Sequence, residues 1–269
     1  MPKALELEIL PQPDDITCGP TCLHAVYRYY GEELSLEQVI REAPRLDGEG
    51  GTLAVLLGCD ALRRGYQASI YTFNLSVFDP TWFHPLRSPE GPAGGARESL
   101  AARERAGRAD VDLREKLKAQ MAAKDDPKLR IAGQAYIEFI ALGGQLLMQD
   151  LTASLMRRYL KRGIPIITGL SATYLHYCPR EFGPKPDDIR GEPSGHFVVL
   201  CGYNKQEKTV RVADPYLHHP VMTRHYYEVG LDRLSCAILL GVLTYDANLL
   251  IIEPSGASVL PPPQVEADA

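Results

Sequence analysis

No stretch of this 269-residue sequence approaches the roughly 20 consecutive apolar residues that a membrane-spanning helix needs. The longest apolar run, Cys236–Leu243, suits a buried strand or helix. Basic residues are not in excess: the net charge is -5 and the pI near 5.8, which argues against a nucleic-acid-binding face. The opening MPKALELEILPQP lacks the charged segment and apolar core of a secretory signal, so a cytoplasmic location is expected. The six cysteines include no C-x-x-C pair and no histidine at zinc-ligand spacing. They read as reduced thiols rather than a disulfide framework, with no structural metal and no cofactor implied. No internal repeat is present.

What remains is an ordinary globular balance, 45% hydrophobic and 23% charged, sufficient for a substantial core. Residues 18–31, CGPTCLHAVYRYYG, read as a helix with Cys18 at its mouth, Pro20 in its first turn and Gly31 as its stop. Ser35-Leu36-Glu37-Gln38 has the form of a capping box opening a second helix. A third is predicted from about Thr52 to Arg64, and Gln67–Asn74 alternates like a strand. A breaker cluster, Ser88–Gly95, precedes the charged, helix-prone segment Ala96–Lys124 and a shorter helix over Ile131–Leu142. This stretch, about 96–142, reads as a solvated helical insertion with few contacts to the rest. Thr152–Arg162 is amphipathic, and Ile164–Gly169 is strand-like. The runs His196–Tyr203, Thr209–Ala213, Val221–Tyr227 and Leu249–Glu253 also read as strands. Helices first and antiparallel strands later predict an α+β fold. The expectation is one domain over 1–253 and a disordered Pro-rich tail over 254–269.

Among the thiols, Cys18 alone combines a helix N-terminus with a small neighbour, Gly19. Free N–H groups and the helix dipole there favour an anion, the reactive form of a thiol. Cys22, Cys59, Cys201 and Cys236 are expected to be buried as small hydrophobes, and nothing near Cys178 suggests activation. Gln12, between Pro11 and Pro13, can offer a side-chain amide beside the Cys18 backbone N–H, forming a pair of oxyanion donors. For the base, His196 opens the strand GHFVVLCGY after two small residues. Asp214 ends the neighbouring strand in VRVADPY. A hairpin between them brings the carboxylate to the imidazole, where it fixes the tautomer. His24 lies on the wrong face of its helix. His84, His176, His218, His219 and His225 carry no partner signal.

Gln12, then Thr17-Cys18-Gly19-Pro20-Thr21-Cys22, then Tyr29-Tyr30-Gly31 and Ser35-Leu36-Glu37-Gln38, with Gly195-His196 and Asp214-Pro215 later, resemble the papain-like cysteine peptidases that process double-glycine leaders of bacteriocin precursors. The resemblance spans roughly residues 10–75 and 150–230 and is closest to free-standing members without transporter domains. It implies a papain-like fold and a catalytic set of Cys18, His196, Asp214 and Gln12. The function expected is hydrolysis of a peptide or small amide substrate through a Cys18 thioester. An alternative is acyl or peptidyl transfer from the same thioester, and a second is a non-catalytic binding module.

Overall fold

The computed structural model describes residues 3–44, 51–83, 111–183, 185–217 and 224–256. The breaker cluster, the first part of the Ala96–Lys124 segment, Val221 to Thr223 and the tail beyond 256 lie outside them. So do His84, His218 and His219. The helices are α1 (Cys18–Tyr29), α2 (Leu36–Glu42), α3 (Ala54–Arg63), α4 (Leu113–Ala123), α5 (Pro127–Ala141), α6 (Ala153–Lys161), α7 (Ala172–His176) and α8 (Leu231–Leu240). The strands are β1 (Lys3–Ala4), β2 (Gln67–Thr72), β3 (Gln145–Leu147), β4 (Ile166–Ser171), β5 (Glu181–Phe182), β6 (Lys185–Pro186), β7 (Gly195–Asn204), β8 (Thr209–Ala213), β9 (Tyr226–Gly230) and β10 (Asn248–Glu253).

The main sheet runs β3-β2-β10-β4-β7-β8-β9, with β1 paired to the far end of β7. All pairs are antiparallel except β2 with β3. Both faces of the sheet are covered, which explains why its strands read as continuous apolar runs. Phe197, Val199 and Leu250 face α1, α3 and α5, while Val198, Leu200, Leu249 and Ile251 face α6 and α8. This is an α+β arrangement, with helices packed on both faces of an antiparallel-dominated sheet.

Local signals account for several boundaries. Gly31 adopts φ +92°, a conformation that side chains resist, and the chain turns there. Ser35 caps α2 by accepting from the Gln38 N–H at 3.1 Å. The capping box is only half made, since the Gln38 amide donates to Glu42 instead of reaching back. The Cys236–Leu243 run is helical: it occupies α8 and the start of the 3-10 turn Gly241–Thr244. Cys236 itself is exposed rather than buried, because α8 turns Leu234, Ala237 and Ile238 inward.

The segment expected as a solvated insertion also differs in its described part. The helix α5 buries Leu129, Ala132, Ala135, Tyr136 and Phe139, and α4 adds Leu117. The apolar spacing 129, 132, 136, 139 places one stripe against the core, while the interleaved charges sit on the outer face. Composition emphasised the charges and missed the stripe. Phe139 fits against glycines on two sides: a Cβ on Gly58 would come within 2.7 Å of its ring, and one on Gly144 within 2.4 Å. Phe139→Ala is therefore expected to cost about 3–5 kcal/mol in urea unfolding. A value near zero would restore the view of a peripheral hairpin.

Candidate active site

No side chain caps α1. The Thr17 hydroxyl donates back to the Asp14 carbonyl at 3.2 Å, leaving the mouth of the helix uncapped at Cys18. Gly19 is a point of close contact: a Cβ there would meet the Thr52 methyl at 2.3 Å. One turn below Cys18, the buried Cys22 thiol donates to the Phe197 carbonyl at 3.3 Å, tying α1 to β7 beside His196. Burial, then the proximity of Cys18 and Asp214, raises the Cys22 pKa well above the ordinary thiol value, which suits a structural thiol.

His196 and Cys18 meet across this seam. The Cys18 side chain lies close enough to the His196 imidazole to raise its pKa. Nε2 of that ring donates to Asp214 Oδ1 at 2.7 Å, so Nδ1 is the nitrogen left to face the thiol. Asp214 is 3% exposed and accepts on both oxygens. Besides His196, Oδ1 takes the Tyr216 N–H at 2.8 Å, and Oδ2 takes the Tyr227 hydroxyl at 2.7 Å. Burial opposes ionisation of Asp214, but His196, Tyr227 and the Tyr216 N–H outweigh it and hold the carboxyl below its usual range. Burial would likewise lower the His196 pKa. The charge and hydrogen bond of Asp214, followed by the nearby Cys18 side chain, raise it well above the usual histidine value instead. The imidazolium form is favoured.

Gln12 belongs to the same neighbourhood. Its backbone N–H donates to the Pro215 carbonyl at 2.9 Å, anchoring the loop beside Asp214. Its side-chain Nε2 donates to the Asp14 carbonyl at 2.7 Å, which commits one of its two hydrogens within the loop. His24 is remote from this group, with Nε2 on the Leu34 carbonyl. Cys59 and Cys201 are buried, while Cys178 is half-buried, with its pKa raised chiefly by burial.

Three residues that the sequence did not single out, or set aside, surround Asp214. His225 Nδ1 donates to its backbone carbonyl at 2.7 Å, and the His176 Nε2 stands 3.8 Å from Oδ2. Tyr227 supplies the hydroxyl described above. Strand alternation after Asp214 was the available signal for Tyr227. Nothing local marked His176, which reaches the site through the fold. Among the described residues, no group of three or more His, Cys, Asp or Glu side chains is arranged to hold a metal ion, and no helix is long and apolar enough to cross a membrane.

The paired shifts give a testable pH signature. Asp214, depressed in the folded state, contributes stability above the unfolded carboxylate value of about 4, lost as pH falls toward its folded value. His196, raised in the folded state, contributes stability fully present below about 6.5 and lost as pH rises through its folded value. Both contributions coexist between about pH 4 and 6.5. Thermal melts of wild type and Asp214→Asn should therefore differ most in that window and converge on either side. A gap independent of pH would mean that the pair is not charged.

Residues 119–229 match the Peptidase C39 like family. That stretch holds His196 and Asp214 and begins after Gln12 and Cys18. No curated protein matches in sequence. Among solved structures, a C39-like peptidase from Bacillus anthracis aligns at 13% identity and TM-score 0.45, covering 94% of this chain and 97% of its own. The peptidase domain of Streptococcus ComA, a bifunctional ABC transporter, aligns at 13% identity and TM-score 0.39, covering 93% and 99%. Xylellain, a cysteine protease from Xylella fastidiosa, aligns at 13% identity and TM-score 0.38, covering 94% and 87%. The chain is similar to C39-like cysteine peptidases.

Proposed function

We propose that this C39-like cysteine peptidase cleaves a peptide or amide bond through a thioester on Cys18, with His196 as the proton carrier, Asp214 as its orienting partner and Gln12 as an oxyanion donor. The observation that supports the reading is the hydrogen bond of His196 to Asp214 at 2.7 Å, with Cys18 at the mouth of α1 beside the same imidazole. An imidazolium at His196 is the counter-ion that a thiolate requires. Attack by the sulphur on the acyl carbon forms the C–S bond. The C–N bond then breaks as the amine leaves with the proton held at His196. Neutral His196 next takes a proton from water, whose oxygen attacks the thioester; the C–S bond then breaks, releasing the carboxylic acid and returning the Cys18–His196 pair to its starting state. The Cys18 backbone N–H at the open mouth of α1 is one donor for the developing oxyanion. The second hydrogen of the Gln12 amide is the other.

Each role has its own signature. Cys18 is expected to react with iodoacetamide faster than the exposed Cys236 and the half-buried Cys178 at about pH 6.5. His196→Ala should remove that advantage. Gln12→Ala should leave labelling nearly intact yet lower turnover by on the order of 10²-fold, since its donor acts only once the oxyanion exists. Labelling rates followed by mass spectrometry, alongside cleavage of a peptide pool, separate the roles. If Cys18 labels no faster than Cys236 and His196→Ala changes nothing, the pair is not an activated one and the reading fails.

A further inference from the structure

Tyr227 holds a position that only a long, hydroxyl-tipped side chain can use. It pairs directly with Val212 across β8 and β9, and both turn toward the layer of α6 and α8. Asp214 lies two residues beyond Val212, so strand alternation puts its side chain on the same face. Diagonal neighbours of this kind stand roughly 7–8 Å apart, within reach of an aromatic side chain and out of reach of serine or threonine. The Tyr227 hydroxyl spans the gap and donates to Asp214 Oδ2 at 2.7 Å. The adjacent Tyr226 packs on the opposite face, where its hydroxyl accepts from the Ile9 N–H and donates to the Leu7 carbonyl, each at 3.0 Å.

The Tyr227 contact settles how the carboxylate is turned. Oδ1 accepts from His196 Nε2 at 2.7 Å and from the Tyr216 N–H at 2.8 Å. Oδ2 takes the Tyr227 hydroxyl, while the His176 Nε2 stands off at 3.8 Å, outside hydrogen-bond reach. The terminal torsion of an aspartate is broad and two-fold, so the group rotates unless both oxygens are held. Burial of Asp214 keeps water from serving as the missing donor. Burial, and then the charge of Asp214, push the Tyr227 pKa far above the ordinary phenol value, so the hydroxyl keeps its proton and remains a donor.

We propose that Tyr227 is a positioning residue for the reaction at Cys18: its hydroxyl closes Oδ2 of Asp214 and thereby keeps Oδ1 aligned on the imidazole of His196. The inference rests on the peptidase reading above and adds to it a residue that touches neither substrate nor thiol. With Oδ2 open, rotation of the carboxylate carries Oδ1 off the ring, and the imidazole loses the partner that sets its tautomer and direction. Misalignment of this sort slows the chemical step without altering which groups are present.

Two readouts test the role on the full chain. The first is the ring N–H of His196 itself, observed by NMR in protein carrying isotope-labelled histidine and identified by its disappearance in His196→Ala. Its exchange with water is expected to be at least ~10-fold faster in Tyr227→Phe than in wild type, because the carboxylate that holds it is no longer fixed. The second is cleavage of a peptide pool, expected to fall on the order of 10-fold. Tyr227→Met, which keeps apolar bulk in a side chain that repacks easily, should behave alike. Tyr226→Phe is the control: it loses hydroxyl bonds on the same strand, and both readouts should stay at the wild-type level. Circular dichroism melts establish that the variants are folded. Unchanged exchange in the Tyr227 variants, an equal rise in Tyr226→Phe, or cleavage at the wild-type rate in both Tyr227 variants overturns the assignment. Failure of the peptidase reading looks different: wild type itself then cleaves nothing and Cys18 labels no faster than Cys236, whatever the exchange rates show.

Discussion

The carboxylate of Asp214, buried and accepting on both oxygens, is the constraint on which the rest of the site depends. A buried anion is costly unless every lone pair it turns inward is answered. Here the answers come from separate parts of the chain: His196 on β7, Tyr216 in the following loop and Tyr227 on β9. The same loop gives the Pro215 carbonyl to the Gln12 N–H, so the segment leading into α1 is held by the residue next to Asp214. The ring of His196, the turn at Tyr216 and the hydroxyl of Tyr227 thus answer to one ion, and removing its charge would loosen all three at once.

The helical side of the site is set by packing. A single thiol-to-carbonyl hydrogen bond from Cys22 contributes at most about 1 kcal/mol. Full burial of Leu23, Val26 and Tyr27 on α1 contributes roughly 1.5–3 kcal/mol for each large apolar side chain. Hydrophobic contact therefore decides where α1 lies, and the Cys22 bond to Phe197 decides only its final register. Gly19 permits that contact, because any side chain would push α1 away from Thr52 and Leu57. The spacing between thiol and imidazole is inherited from a well-packed seam.

Much of this was legible in the residues before the fold was known. The order of helices and strands, Cys18 at a helix mouth, and the hairpin that brings Asp214 to His196 all follow from local periodicity and residue chemistry. What escaped depends on tertiary placement. The charges of α4 and α5 concealed an inward stripe ending at Phe139. Cys236 lies in an apolar run, yet the helical period turns it outward. His176 and His225 offered no local partner because their partner is Asp214, reached only when the sheet closes. For Gln12, the sequence suggests an amide offered toward the thiol, but the bond from that amide to Asp14 is a matter of loop geometry that no motif specifies.

The sheet order carries a consequence for synthesis of the chain. The last strand, β10, does not flank the sheet but lies between β2 and β4. Residues 248–253 must therefore be made before the two portions of the sheet can join. The seam of α1 with β7, where Cys18 lies beside the imidazole, depends in turn on strands far along the chain from α1. Contacts this distant in sequence form late, since closing long loops is slow. A growing chain thus carries Cys18 without its partner until the strands that hold His196 and Asp214 are made. Topology in this way ties the pairing of Cys18 and His196 to the folded sheet.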